Sequence, residues 1–401
     1  MSVQPFTHLH LHTEYSLLDG ANKLTNLVPR LKELGMTTVA MTDHGNMFGA
    51  IDFYQQMTAA GIKPIIGMEG YIHNGDSIGD KSTKQRFHIC LYAKNQKGYE
   101  NLMYLSSKAY IEGMYYFPRI NKQELREHSE GLICTSACLQ GEVNWHLNLQ
   151  NERNVKNGAL GYEGGLAVAR EYQDIFGNDF YLELMRHGIG DQLFIDDQIL
   201  RISKETGIKV VATNDTHYTF PEDAQYHEAF MCIGMNKLFD DPNRMRHSVH
   251  EFYLKSPEEM AKIFADIPEA ITHTQEIADK CQLELQLGDP IPPNFKFTPE
   301  YAAKDGLSIN HEDDFPALTA DATLEEKKLW FAGIDKNDAE YFTYRCEIGL
   351  QERLVHVPEE RHEEYRERLK FEMDIINSMK FPGYMLIVWD FVKVAKEMGI
   401  A

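Results

Sequence analysis

Short apolar runs alternate with amphipathic stretches through the first 220 residues. Phe6 to His12 reads as a strand. Residues 25–34 carry Leu27, Val28, Leu31 and Leu34 at helical spacing, and Gly35 stops them. Pro29 fits only a first turn, which puts the helix start near Thr25. Further strands are expected at 38–42, 64–69, 87–92, 131–136, 180–184 and 209–214, with helices at 50–60 and 101–109 among the intervening segments. Seven βα-type units predict a parallel sheet with helical crossovers. Open doubly wound sheets and closed barrels both satisfy that pattern.

Residues able to bind metal decide between them. His10-Leu11-His12 and Asp215-Thr216-His217 each place two donors at i and i+2, on one face of an extended chain. Asp19, His44, Glu69, His88 and Cys138 also fall near the ends of apolar runs, and only the sixth strand departs, with Arg186-His187 in that place. In a barrel all strand C-termini ring one opening, so donors from the first and last strands can meet. A distorted (βα)7 barrel of the TIM type is therefore expected. Taken singly, each donor fits an ordinary packed residue. Jointly they point to metal, because isolated buried charges are costly unless paired or metal-bound. Imidazole and carboxylate with one thiolate suit Zn, Mn or Fe rather than Ca. Nine donors exceed one ion. Two or three ions bridged by Glu69 are expected, the usual apparatus for phosphoester hydrolysis by an activated water. Arg186 and His187 are candidate substrate-phosphate contacts; His8 reads as a core or supporting residue, and His73 and His227 as ordinary packed histidines.

Composition adds limits. The chain has 401 residues, 43% hydrophobic and 25% charged, as expected of a globular protein. Its six cysteines include no Cys-x-x-Cys pair, so a zinc ribbon is not expected. No signal peptide and no apolar run of membrane-spanning length is read, and the expected location is the cytoplasm. No Walker loop, nucleophile elbow or Rossmann fingerprint is found. A net charge of −21 is unlike a protein whose main surface grips a phosphate backbone.

From Ser256 the pattern turns helical, at 257–264 and 268–281. Pro290 to Pro293 forms a candidate hinge. Residues 298–344 are acidic and weakly periodic. Residues 350–379 read as a charged helix with a solvated face, and 391–398 as helix again.

Three blocks carry a resemblance: His10 to Gly20 (HLHTEYSLLDG), Ala40 to Gly49 (AMTDHGNMFG) and Gly61 to Glu69 (GIKPIIGME). They resemble the opening of the alpha subunits of bacterial DNA polymerase III, the C-family replicative polymerases, which begin with a polymerase and histidinol phosphatase (PHP) domain. Ala212 to Tyr218 and Phe381 to Phe391 resemble the same family. The resemblance spans nearly the whole chain, apart from roughly 300–345. It implies metal ligands at His10, His12, Asp19, His44, Glu69, His88, Cys138, Asp215 and His217. One ion would use His10, His12, Glu69 and Asp215, a second Asp19, His44 and His217, and a third Glu69, His88 and Cys138. Glu69 and Asp215 would be the catalytic, metal-bridging carboxylates. Asp19 and Cys138 stand where single-domain PHP proteins have His.

The resemblance also implies a PHP barrel over 1–285, then the first part of an α+β palm over 286–401 with an acidic insertion near 300–345. The glycine-rich segment and palm aspartates of the polymerase are not found and are expected beyond residue 401, with Mg for polymerisation. The implied activity is a metal-dependent phosphoesterase, a 3′→5′ exonuclease assisting proofreading. The rival is a metal-stabilised platform that docks a separate proofreading subunit. Implied partners are DNA, mainly through later domains, the proofreading exonuclease subunit and the sliding clamp.

Overall fold

The computed structural model describes residues 5–17, 19–288, 295 and 324–400, with backbone alone for 324–332 and 334–336. The chain divides into two compact units, Met1–Leu285 and Gln286–Ala401.

Among the described residues of the first unit lie eight strands: β1 (Thr38–His44), β2 (Lys63–His73), β3 (Phe87–Ala93), β4 (Met114–Tyr115), β5 (Phe117–Asn121), β6 (Leu132–Thr135), β7 (Phe180–Met185) and β8 (Lys209–Thr213). Pairing runs β1-β2-β3-β6-β7-β8, and the β4–β5 hairpin attaches to the end of β2. The segment holding His8 to His12 closes the ring. His8 bridges to Val39 and Leu11 to Thr216, both parallel. Seven chain segments thus form a distorted TIM-like barrel.

Two features depart from the expected pattern. The first segment is not a regular strand. The Thr42 hydroxyl replaces a ladder partner there, accepting from the Leu11 amide at 2.9 Å and donating to the Leu11 carbonyl at 3.2 Å. The sheet is also not wholly parallel, since β3 runs antiparallel to both β2 and β6. Residues 74–86 hold no helix, so the chain turns back beside β2 instead of crossing over. The reversal brings the start of β3 to the rim where the other strands end. His88, near that start, pairs with Tyr71 near the end of β2.

Strand alternation makes the lumen a polarity gradient. Ala40, Ile65, Tyr92, Ile133, Tyr181 and Val211 fill one level as a buried apolar cluster. Two residues on lie Thr42, Cys90, Thr135, Glu183 and Thr213, all buried. Another step reaches His44, Glu69, His88 and Asp215. Outside the ring, helices such as Leu24–Glu33, Ala50–Ala59 and Gln96–Ile111 pack leucine, phenylalanine and methionine onto the strands in the main core. Pro29 falls beyond the first turn of Leu24–Glu33. Burial of Leu24, Leu27 and Leu31 holds that helix despite the lost bond.

Glu276, on helix Pro268–Lys280, joins Lys209 at 2.6 Å, Tyr181 at 2.7 Å and Lys280 at 3.3 Å. Burial pushes its carboxyl up, but these donors prevail and hold it down to about 2. Its stabilisation is therefore complete above the ordinary carboxylate range and is lost as pH falls through that range toward 2. Glu276→Gln is expected to lower stability at neutral pH by about 1 kcal/mol. The gap from wild type should shrink in acid; urea midpoints between neutral pH and pH 3 check this.

The second unit contains helices Leu324–Leu354, His362–Ser378 and Pro382–Glu397, with no strand among its described residues. Phe295, Tyr341, Phe342 and Leu386 form a small core. The charged stretch expected as one helix is two, broken before Pro358. Helix His362–Ser378 buries none of its residues, and pairs such as Arg368–Glu372 and Lys370–Asp374 lace its surface. The Pro290–Pro293 hinge and residues 300–323 of the acidic stretch lie outside the described residues. Among the described residues no helix is long and apolar enough to cross a membrane.

Candidate metal centre

The rim gathers all nine candidate donors. Glu69, 1% exposed, lies at the middle. Its Oε1 is 2.8 Å from His88 Nδ1 and 3.3 Å from His10 Nε2. Its Oε2 is 2.6 Å from His44 Nδ1 and 3.8 Å from His12 Nε2. Cys138 Sγ lies 4.0 Å from Glu69 Oε1 and 3.6 Å from His88 Nδ1. Asp215 Oδ1 is 3.1 Å from His12 Nε2, 3.3 Å from His10 Nε2 and 3.5 Å from His217 Nδ1. Asp19 Oδ2 meets His44 Nε2 at 2.8 Å. The rings of His12 and His44 are 4.0 Å apart, and those of His12 and His217 4.4 Å.

Supporting bonds fix three imidazoles with Nδ1 protonated. Ser16 Oγ spends its proton on Asp43 at 2.7 Å, so His12 Nδ1 must donate to Ser16 at 3.1 Å. His10 Nδ1 donates to the Glu183 carboxylate at 3.0 Å, and His217 Nδ1 to the Asp215 carbonyl at 2.8 Å. Each turns Nε2 away from these supporting bonds, and in His12 and His10 it faces Asp215 Oδ1 at 3.1 and 3.3 Å. Outer-layer bonds of this kind hold metal-binding histidines in one tautomer and orientation. Glu183 is itself held by the hydroxyls of Thr213, at 2.7 Å, and Thr135. Asp43 takes three bonds at 2.7 Å from Thr13 and Ser16.

The residues fit cations. Glu69 Oε2, His44 Nδ1 and Asp19 Oδ1 are buried and make no hydrogen bond, although the first two stand 2.6 Å apart. Such contact without hydrogen-bond geometry suits two donors to one ion. Burial opposes charge on Glu69 and Asp215, yet His88 and His44 hold the first carboxyl well down, and His10 and His217 the second. Burial, with His44 and His217 beside it, lowers His12 to about 3. His44 goes the other way: burial lowers it, but Asp19 and Glu69 prevail and raise it well above its ordinary value. The cluster thus draws in positive charge. Asp215 adopts φ 45° just past β8, and Ala137 φ 58° just before Cys138. Non-glycine residues pay strain there and concentrate at functional sites.

β7, the sixth strand of the expected pattern, turns Glu183 into the lumen as the carboxylate that holds His10, while Arg186 and His187 are engaged elsewhere. Arg186 is engaged by Asp196 at 2.7 Å and Asp266 at 2.5 Å. His187 is buried between the Asn214 carbonyl at 2.9 Å and Gln192 at 2.8 Å. His8 is fully buried on the Lys255 carbonyl at 2.8 Å. Glu183, Asp43 and Ser16 lie outside the pattern of donors at strand ends. Glu183 had a signal, as the one charge within the apolar run Tyr181 to Leu184.

A closed barrel with clustered imidazoles and carboxylates at one mouth defines a class. Residues 8–187 match the PHP domain, and residues 340–401 match the bacterial DNA polymerase III alpha NTPase domain. Over nearly its whole length the chain matches alpha subunits of bacterial DNA polymerase III. It is 62% identical over 400 residues to DNA polymerase III subunit alpha of Helicobacter pylori (strain J99) and 63% identical over 395 residues to that of Campylobacter jejuni. To the Borreliella burgdorferi subunit it is 38% identical over 399 residues. Each alignment covers 98% of this chain, and the chain spans only about a third of these relatives, 31%, 32% and 31%. Among solved structures, a putative metal-dependent phosphoesterase from Bifidobacterium adolescentis aligns with 65% of this chain and 96% of its own, at 14% identity and TM-score 0.36.

Proposed function

We propose that the barrel is a multinuclear metal-dependent phosphodiesterase that trims the 3′ end of single-stranded DNA, a 3′→5′ exonuclease aiding proofreading. The observation that carries this reading is the convergence of nine donors on one rim, with Glu69 at their middle. Glu69 would be shared between ions, with His10, His12 and Asp215 on one side and His44, Asp19, His217, His88 and Cys138 on the others. Bound Zn, Mn or Fe ions would act as Lewis acids on a phosphoryl oxygen and acidify water. The chain's own part is to hold the donors rigid, to fix the imidazole tautomers through Glu183, Ser16 and Asp43, and to exclude bulk water with the apolar plug below. The whole protein would be the catalytic alpha subunit of the replicative polymerase, in the cytoplasm, using Mg for nucleotide transfer and working with DNA, the sliding clamp and a proofreading subunit.

One observation favours a second reading. His10 and His12 lie on the segment that closes the ring, while Asp215 follows the last strand. Metal held between them would staple the barrel shut and make it a platform for a proofreading subunit.

The test is incubation of the chain with Mn²⁺ or Zn²⁺ and a 3′-labelled single strand, beside a simple phosphodiester. Loss of nucleotides from the 3′ end is expected. Full metal occupancy with neither substrate cleaved would favour the platform. Primer extension by the same chain is expected to be undetectable, because 286–401 carries nothing resembling the palm carboxylates; extension that survives removal of contaminating polymerases would overturn that.

A further inference from the structure

Arg86 differs from the other buried and half-buried arginines of the barrel unit. Arg119 donates to backbone carbonyls of Thr83 and Asp80, and Arg30, Arg186 and Arg244 pair with carboxylates. Among the described residues Arg86 makes no hydrogen bond or ion pair with any of its nitrogens; its Nε is buried without a partner, as are those of Arg30 and Arg119, but theirs belong to guanidinium groups satisfied at other nitrogens. Its guanidinium instead lies 3.6 Å from the centre of the Phe117 ring and 5.6 Å from that of Tyr71. Tyr71 packs in turn on Phe117 at 5.1 Å, on His88 at 5.3 Å and on His44 at 6.3 Å. A continuous series of ring contacts, mostly edge to face, therefore joins two imidazoles of the metal centre to an unpaired cation.

A second pair of cation and ring lies next to it along the chain. Lys84 sits two residues before Arg86, as Arg86 sits two before His88. Its ammonium lies 4.1 Å from the centre of the Tyr116 ring. Tyr116 is 67% exposed and holds φ 63° at the turn of the β4–β5 hairpin. The positive φ of a non-glycine residue is strained, and here it holds an exposed ring out beside a cation.

Ring faces do not satisfy the N–H donors of a guanidinium. A half-buried guanidinium without an anion is costly, and its planar fork matches phosphate. Cations interleaved with aromatic faces are how single strands are held without regard to sequence: cations take phosphates and rings take unstacked bases. On a chain of net charge −21 such a row is a local exception.

We propose that Lys84, Arg86, Tyr116 and Phe117 form a track for a single-stranded polynucleotide leading away from the metal centre, with Arg86 gripping the phosphate next to the one cleaved. This rests on the phosphodiesterase reading and adds to it the residues that would hold the strand and set its path. Arg86 is a positioning residue, not one that acts on the reacting bond.

The test is fluorescence anisotropy of labelled oligodeoxythymidylate titrated with the 401-residue chain, without added metal so that cleavage plays no part. Arg86→Ala is expected to weaken binding about tenfold and to make the slope of log affinity against log salt shallower by about 0.7, the value for one single-strand phosphate contact. Lys84→Ala and Tyr116→Ala should each weaken it a few-fold. Arg86→Lys should restore the slope but not the full affinity. Lys156→Ala, at an exposed cation paired with Glu152, should bind as wild type. An Arg86→Ala protein that melts as wild type and keeps its affinity and salt slope would overturn the proposal, as would a wild type that does not bind the strand. A strand bound as described but not cleaved when Mn²⁺ is added would sink the phosphodiesterase reading and leave the track standing.

Discussion

Glu69→Ala is expected to empty the metal centre of at least two ions and to lower phosphodiester hydrolysis by about a thousandfold or more. The size follows from the contacts. One carboxylate touches His10, His12, His44, His88 and Cys138. Ions that share it lose a common donor and the charge that offsets their repulsion. A Lewis-acid contribution of about 4 kcal/mol corresponds to a rate factor of roughly 10³. Glu69→Gln keeps the shape and loses the charge, so it should fall nearly as far. Elemental analysis and turnover are read on the same preparation. Retention of all metal with hydrolysis within tenfold of wild type would remove Glu69 from the centre.

The second large effect is thermal. Ions that bind only the folded barrel stabilise it by mass action, by about 4 kcal/mol when free metal is about a thousand times its dissociation constant. For a domain of this size that is on the order of 10 °C in melting temperature. A chelator should remove this increment from the wild type. His12→Ala and Asp215→Asn should lack metal, melt low from the outset and be indifferent to the chelator. The pH dependence has a definite sign. Metal requires the neutral imidazoles, which depresses their proton affinity in the folded, loaded state. Metal must also displace the proton that Asp19 and Glu69 hold on His44, so the increment grows as pH rises and is lost as pH falls. Unchanged metal content in both variants would refute their place as ligands.

The ring of donors was legible because paired residues at i and i+2 leave a trace that no packing rule requires. His10-Leu11-His12 and Asp215-Thr216-His217 marked two segments that had to meet, and only a closed sheet lets them. The direction of β3 was not legible. Period-2 alternation reads the same forwards and backwards, and only the missing helix in 74–86 hinted at the reversal. Ser16 and Asp43 were beyond reach for another reason: a hydroxyl becomes a tautomer lock only when folding sets an acceptor behind it. The break before Pro358 was written plainly and was outweighed by the run of charge on either side.

The closure of the ring also sets the order in which this chain can be finished during synthesis. His12 contacts Asp215 across 203 positions. A ribosome adding about 5–20 residues per second leaves roughly 10–40 s between the two. For that time the opening segment has only one of its two flanking neighbours, and Leu9 and Leu11, both buried in the finished barrel, lack their full cover. Contacts of such long range are slow to form, because the loop must close before any reward arrives. The newborn barrel is thus a trough with one open seam, exposed to aggregation and to premature capture of metal by His10 and His12. A chaperone that shields the first dozen residues should raise the yield of folded protein more than one acting anywhere else on the barrel.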